Sequence, residues 1–270
     1  MARDLEYQVR QLIGKNYGVA KATTEKLLSN VKSITNFLVN QYGLQKIGNV
    51  KTKMVSAYFE NMKTAGYAAS TMQSHAAAWR TIAEAVGKRN IVPQTNAQLG
   101  VERADRYSPK IADTNKIESI RQALYEKSES LGVAHDMRQA FGLRAMESIR
   151  SSRIDTIDGK EYLRVDGAKG GRPRSIQIET EQQRSAIARV QAIAERQGTP
   201  GLIPADKTLK EFYNLQKNAL HNLGATKAQN ANMHTLRHDY VQRLAKLGVN
   251  DKVIAERLGH NREEVVKHYK

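Results

Sequence analysis

The chain has 270 residues, 43 of them basic and 27 acidic, for a formal net charge of +16 at pH 7. That length accommodates two domains with separate cores, and that charge points to a polyanionic partner, most simply nucleic acid; no polybasic tail or one-sided amphipathic helix speaks for an anionic membrane. The chain has no cysteine, which excludes disulfides, thiolate nucleophiles and cysteine-ligated zinc. No apolar run approaches a membrane span. The charged start MARDLEYQVR has no apolar signal core, so an intracellular, cytoplasmic protein is expected. Residues 1–104 carry 14 basic and 6 acidic side chains, and residues 105–270 carry 29 and 21. The excess is therefore equal in the two parts, as for two domains drawn to the same polyanion.

Residues 3–13 read as a short helix broken at Gly14 and Gly18. A long helix follows from Thr23 or Thr24 to about Tyr42. Its apolar stripe is Leu27, Val31, Ile34 and Leu38, its opposite face Ser29, Ser33, Asn36 and Asn40, and Gly43 ends it. A third helix over 51–64 turns Met54, Tyr58 and Met62 inward and closes at Gly66. The fourth runs from about Ser70 to Val86 with Met72, Ala76, Trp79, Ala83 and Val86 on one face. Together they predict an all-α domain over residues 1–104. Ser33 and Asn36 on the second helix, Ser74 and Arg80 on the fourth, and Lys88 and Arg89 after it suit contacts to phosphates and base edges. Ordinary solvated helix faces have the same composition.

Residues 90–115 lose periodicity and contain Pro93, Gly100 and Pro109, which places a linker at 105–114 and a second domain at 115–270. A polar, partly basic linker would let the two domains close around a duplex as a C-shaped clamp. Helices are predicted at about 115–130 and 135–150. The second contains Phe141-Gly142-Leu143-Arg144-Ala145-Met146-Glu147, in which Arg144 and Glu147 equally suit a surface i, i+3 ion pair. Strands are predicted at 154–157, 162–165 and 175–178, the first two joined by the hairpin signal Asp158-Gly159. The second turn, Gly167-Ala168-Lys169-Gly170-Gly171-Arg172-Pro173-Arg174, is basic. Helices at about 180–197 and 207–222 carry no motif of their own.

The last stretch, Met233 to Tyr269, is the densest. His234 and Arg237 project from one side of a helix whose buried face is Tyr240, Val241, Leu244 and Leu247. Gly248 stops that helix, and a second runs from Asp251 to Leu258 behind the cap candidate Asn250. Gly259 places His260 in a turn. Asn261 with Glu264 has the spacing of a capping box for a third helix carrying Tyr269.

Taken in order, Gly142-Leu143-Arg144-x-x-Glu147, the Lys169 turn, His234-x-x-Arg237-His238, Leu258-Gly259-His260 and Tyr269 resemble the signature of the tyrosine recombinases, the phage integrase family that includes integrases and Xer-type site-specific recombinases. Ala168 departs from the pattern, since a glycine is common there, and Arg172 is a conceivable substitute for Lys169. The resemblance implies a mainly α fold with a small three-stranded sheet, in which a helical, SAM-like core-binding domain precedes the catalytic domain. It assigns the catalytic set to Arg144, Lys169, His234, Arg237, His260 and Tyr269, with Glu147 and His238 in support, and adds Arg172 and Arg174 to the candidate DNA contacts. It further implies a covalent 3′-phosphotyrosine, a free 5′ hydroxyl, and strand joining without ATP, metal or other cofactor.

The residue types suit this chemistry. Two guanidinium groups can hold the non-bridging oxygens of a phosphodiester in bidentate fashion and keep their protons. Tyr269 as nucleophile needs a proton acceptor, for which His234 is the expected group, with His260 donating to a non-bridging oxygen and Lys169 protonating the leaving 5′ oxygen. A constellation this poor in acids is unlike a two-metal nuclease, which clusters carboxylates. The implied partners are double-stranded DNA at core-type sites, a tetramer of this chain on paired sites (with a monomer compatible with the free state), and accessory or host recombination proteins. The implied setting is a phage or bacterial mobile element, beside the nucleoid. The alternative is strand relaxation of the type IB topoisomerase kind; a non-catalytic repressor or a helical interaction module would have no reason to hold all six positions. Family members usually continue past the tyrosine into a tail that docks on a neighbouring protomer. A last helix held only by its capping box, Val265 and Val266 is therefore expected to leave Tyr269 mobile or withdrawn from Arg144 and Arg237 in the free protein.

Overall fold

The computed structural model describes residues 2–14, 21–101, 110–167, 172–226 and 228–270, and divides into two compact units, Met1–Asp105 and Arg106–Lys270. In the first unit, α1 (Ala2–Ile13), α2 (Lys21–Tyr42), α3 (Thr52–Thr64) and α4 (Ala69–Ala85) pack around one core. The α2 stripe is buried at Val31, Ile34 and Leu38, and α4 buries Met72, Ala76, Trp79, Ile82 and Ala83. Tyr58 is the centre of an aromatic cluster, with Phe37, Phe59 and Trp79 edge-on to it at 5.1, 5.8 and 5.7 Å. Its hydroxyl meets Nδ1 of His75 at 2.8 Å, which satisfies a phenol that burial would otherwise leave unpaired. Arginine and lysine close this unit. Arg80 donates to the carbonyl of Pro93 and to Asn96, and Lys88 donates to the carbonyl of Gly48.

The second unit is mainly helical with one small sheet. Its elements are α5 (Thr114–Lys127), α6 (Glu129–Phe141), α7 (Ala145–Arg150), β1 (Ile154–Ile157), β2 (Lys160–Val165), β3 (Arg174–Gln177), α8 (Glu181–Gln197), α9 (Leu209–Asn222), α10 (Thr235–Lys246) and α11 (Asp251–Leu258), then a 3-10 turn at Glu263–His268. The sheet is antiparallel in the order β1-β2-β3, and Asp158 and Gly159 both take positive φ in the first hairpin. Its register pairs Leu163 with Ile176 and Val165 with Arg174. Residues opposite one another share a face; Leu163, Val165 and Ile176 on this one are fully buried.

The hub is α6, which is buried on nearly every side and packs against α5, α7, α8 and α10. Three elements differ from the sequence reading. The helix expected over 135–150 is two helices, because Gly142 ends α6 in the left-handed region (φ 62°) and Arg144 is extended at the start of α7. The helix expected to carry Tyr269 is a 3-10 turn that starts after Arg262 without a side-chain cap, so the Asn261–Glu264 box does not form. Leu247, expected on the buried face of α10, is 78% exposed at its C-terminal end.

Candidate active site

Arg237, in the first turn of α10, is 1% exposed. Its Nη1 donates to the carbonyl of Gly142 at 2.7 Å and its Nη2 to the carbonyl of Leu258 at 2.6 Å. These are the C-terminal ends of α6 and α11, each closed by a glycine in the left-handed region, Gly142 and Gly259. Helix ends leave carbonyls without intrahelical partners and carry the negative end of the helix dipole. Two such ends therefore hold a buried guanidinium to which, among the described residues, no carboxylate is bound. Burial pulls the pKa of Arg237 down, and the nearby Tyr269 hydroxyl pulls it back up; an arginine stays protonated through such a shift.

Arg144 and Arg174 share Glu147. The Glu147 carboxylate accepts from the Arg144 backbone N–H at 2.9 Å and its Nη1 at 2.8 Å, and from Arg174 Nη1 and Nη2 at 3.3 and 2.9 Å. Burial would raise the pKa of Glu147, but the hydrogen bonds and charge of Arg174, with those of Arg144, hold it down at about 2. Arg174, expected among the DNA contacts, is instead 7% exposed at its side chain. Its register opposite Val165 points it to the buried face of the sheet, where Nε also binds the carbonyl of Arg257 at 2.7 Å. Arg144 remains half-buried, and its charge acts on Arg237, His234 and His260.

Tyr269 is 7% exposed and lies in this pocket. Its hydroxyl is 3.4 Å from Arg237 Nε and 3.2 Å from His260 Nε2. The expectation of a withdrawn tyrosine is thus overturned, because main-chain contacts as well as apolar ones hold the last turn. The Tyr269 carbonyl accepts from Gln242 Nε2 at 2.9 Å, and Lys270 pairs with Asp251. His260 Nε2 also lies 3.2 Å from Arg237 Nη2. A guanidinium can only donate, so Nε2 is the acceptor of the ring and the proton sits on Nδ1. Desolvation, then the charges of Arg237, Arg144 and Arg174, push His260 down to about 4. A neutral imidazole thus shares its one Nε2 lone pair between Arg237 Nη2 and the Tyr269 hydroxyl.

His234 is placed differently. It is the exposed N-cap residue of α10, makes no side-chain cap bond, and its ring centroid lies 5.8 Å from that of Tyr269. Partial desolvation, then His238, Arg237 and Arg144, lower it to about 4 as well. His238 is buried with its ring 4.9 Å from Tyr269, and its Nδ1 accepts from the Lys110 N–H at 3.3 Å. Lys169 lies outside the described residues.

Of the other expected DNA contacts, Arg80 and Lys88 spend their donors within the first unit, Arg89 pairs with Glu84, and Ser74 donates to the carbonyl of Thr71. Ser33 is exposed and donates to the carbonyl of Ser29, and Asn36 is half-buried. Arg172 is exposed and lines an open cleft of about 560 Å³ with Arg174, Glu256 and His260. The sequence reading missed Gln242, Lys110 and the carbonyls of Gly142 and Leu258. Main-chain acceptors have no sequence signature beyond the two glycines; Gln242 could have been noticed one helical turn after His238.

The family model described as Integrase matches residues 100–243, more than half of the chain. No curated protein matches at a significant level. Among solved structures, the XerH site-specific recombinase bound to difH substrate aligns over 98% of this chain and 80% of its own, at 12% identity and a TM-score of 0.66. A lambda integrase tetramer bound to a Holliday junction aligns over 99% and 76%, at 18% identity and a TM-score of 0.69. The Tn1549 transposon integrase with transposon right-end DNA aligns over 98% and 94%, at 19% identity and a TM-score of 0.54. At such identities the structures speak for the fold, and the topoisomerase alternative draws no support from these matches. By the family match, the chain belongs to the integrase family of tyrosine recombinases, enzymes that break and rejoin DNA strands.

Proposed function

We propose that the pocket around Arg237 exchanges one phosphodiester for another, with Tyr269 as the nucleophile. The observation that carries this is the Tyr269 hydroxyl, set between a buried guanidinium and the lone pair of a neutral imidazole. The hydroxyl oxygen attacks the scissile phosphorus while its proton passes to His260 Nε2. This assigns to His260 the acceptor role that the sequence reading gave to His234. Arg144 and Arg237 hold the non-bridging oxygens as charge develops on them, and removing one such donor typically costs about 2.7–4 kcal/mol of transition-state stabilisation. Glu147 fixes the Arg144 main chain and guanidinium. The 5′ oxygen leaves with a proton from Lys169, as the resemblance implies. Attack by a second 5′ hydroxyl on the phosphotyrosine reverses these transfers and joins the strands, so the bond energy is conserved without ATP.

The substrate in this reading is double-stranded DNA at core-type sites, cut and joined in the cytoplasm by four copies on paired sites, for integration, excision or resolution of a mobile element. XerH and lambda integrase, which share the fold, are described bound to difH substrate and, as a tetramer, to a Holliday junction. Residues 1–104 would be the core-binding domain, 105–114 the linker and 115–270 the catalytic domain. A suicide duplex nicked near the cleavage position tests the chemistry. The wild type should accumulate a covalent adduct mapping to Tyr269, and Tyr269→Phe should bind the duplex and form none. An adduct of comparable yield with the phenylalanine variant would remove Tyr269 from the role.

A further inference from the structure

Three groups outside the reacting set meet at Tyr269. Gln242 Nε2 donates to the Tyr269 carbonyl at 2.9 Å and to the Lys110 carbonyl at 3.1 Å. His238, one helical turn earlier on α10, accepts from the Lys110 N–H at 3.3 Å and lies with its ring 4.9 Å from that of Tyr269. One face of α10 therefore grips both strands of main chain that cross it, the beginning of the second unit at Lys110 and the nucleophile's own peptide. The same helix carries Arg237, to which the hydroxyl of Tyr269 is bound. The tyrosine is thus held at both ends by α10, its ring against His238 and its hydroxyl on Arg237. The 3-10 turn that precedes it has few hydrogen bonds to do this alone.

We infer that Gln242 is a positioning residue for Tyr269, its carboxamide stapling the peptides of Lys110 and Tyr269 to α10 so that the hydroxyl rests on Arg237 and His260. Its two amide protons match two carbonyl acceptors, a demand that neither an apolar side chain of the same length nor a carboxylate can meet. Gln242 touches no reacting atom. A displacement of about 1 Å at a reacting group far from the altered residue can slow chemistry on the order of 100-fold, and this sets the size of the expected effect.

The inference rests on the nucleophile reading, and two measurements separate their fates. Gln242→Met and Gln242→Glu are compared with the wild type in the full chain. The first measurement is the reactivity of Tyr269 in the free protein toward tetranitromethane, located by peptide mass; it needs no catalysis. Both variants should nitrate Tyr269 several-fold faster at a temperature where circular dichroism shows them fully folded. The second is single-turnover cleavage of the suicide duplex at saturation, where both should lose on the order of 10- to 100-fold in rate with the duplex Kd within about twofold. A duplex with a 5′-bridging sulfur, whose leaving group needs no proton, should not rescue them, because the defect lies in the attacking oxygen.

Unchanged nitration in both variants overturns the staple. So does wild-type cleavage by variants whose Tyr269 has become reactive, or rescue by the sulfur substrate. If the wild type itself forms no adduct at Tyr269, the nucleophile reading fails and with it the catalytic part of the inference. The nitration rates still decide whether Gln242 holds the tyrosine in place.

Discussion

Glu147 serves two arginines, while Arg237 is held by two main-chain carbonyls, the Tyr269 hydroxyl and His260. Its carboxylate is almost wholly buried and holds Arg144 on one side and Arg174 on the other. Removing a buried ion's partner leaves an uncompensated charge, which costs about 3–5 kcal/mol. Glu147→Ala should therefore lower the urea-unfolding free energy by that amount, whereas Arg144→Ala, at a half-exposed site, should lower it far less. Near-equal losses would place the energy in the Arg144 pair instead. At this scale the sequence was readable where a motif names the side chain: Arg144, His234, Arg237, His260 and Tyr269 all lie on this one unit. It was not readable for Arg174. A basic turn followed by a strand does not reveal which way its first residue points, and only the pairing with Val165 turns that side chain inward.

At the scale of elements, the pocket depends on where α6 stops. Gly142 is the left-handed residue at that end, its carbonyl holds Arg237, and a methyl group on it would sit 2.4 Å from the Tyr240 ring. An L residue in this conformation costs roughly 1–2 kcal/mol before any clash. Gly142→Ala should thus destabilise the second unit by more than that, measured by thermal or chemical unfolding. It should also slow adduct formation, since the Gly142 carbonyl that holds Arg237 moves with it. A variant with wild-type stability would mean that α6 can end elsewhere. The strands and most helices followed from periodicity and turn residues, whereas the break at 142–144 did not, because α6 is buried all round and shows no polar face to mark its limits. The last turn misled for another reason. Asn261 and Glu264 have capping spacing, but the segment answers to contacts with α10 and α11 that the spacing cannot express.

For the molecule as a whole, acid is the expected weakness. His234 and His260 are held near 4 and His135, buried in α6, near 3, all below the ordinary 6.5. The unfolded chain therefore takes up protons that the folded one declines. Their stabilising contribution is complete above pH 6.5 and shrinks as pH falls toward 4 and then 3. Glu147, held near 2, adds a loss that begins as pH falls below the ordinary 4.5 and runs on toward 2. Thermal midpoints should decline already between pH 6.5 and 5, before carboxylates titrate, and a flat profile there would contradict these histidine environments. The architecture also ties distant parts of the chain together. Arg237 reaches back 95 positions to Gly142 and forward 32 to Tyr269. All three residues lie in the second unit, and a domain folds as a unit once its sequence is out of the ribosome. A copy broken off before Tyr269 keeps the carbonyls that hold Arg237 but loses the bonds that Gln242 and Asp251 make to the last turn.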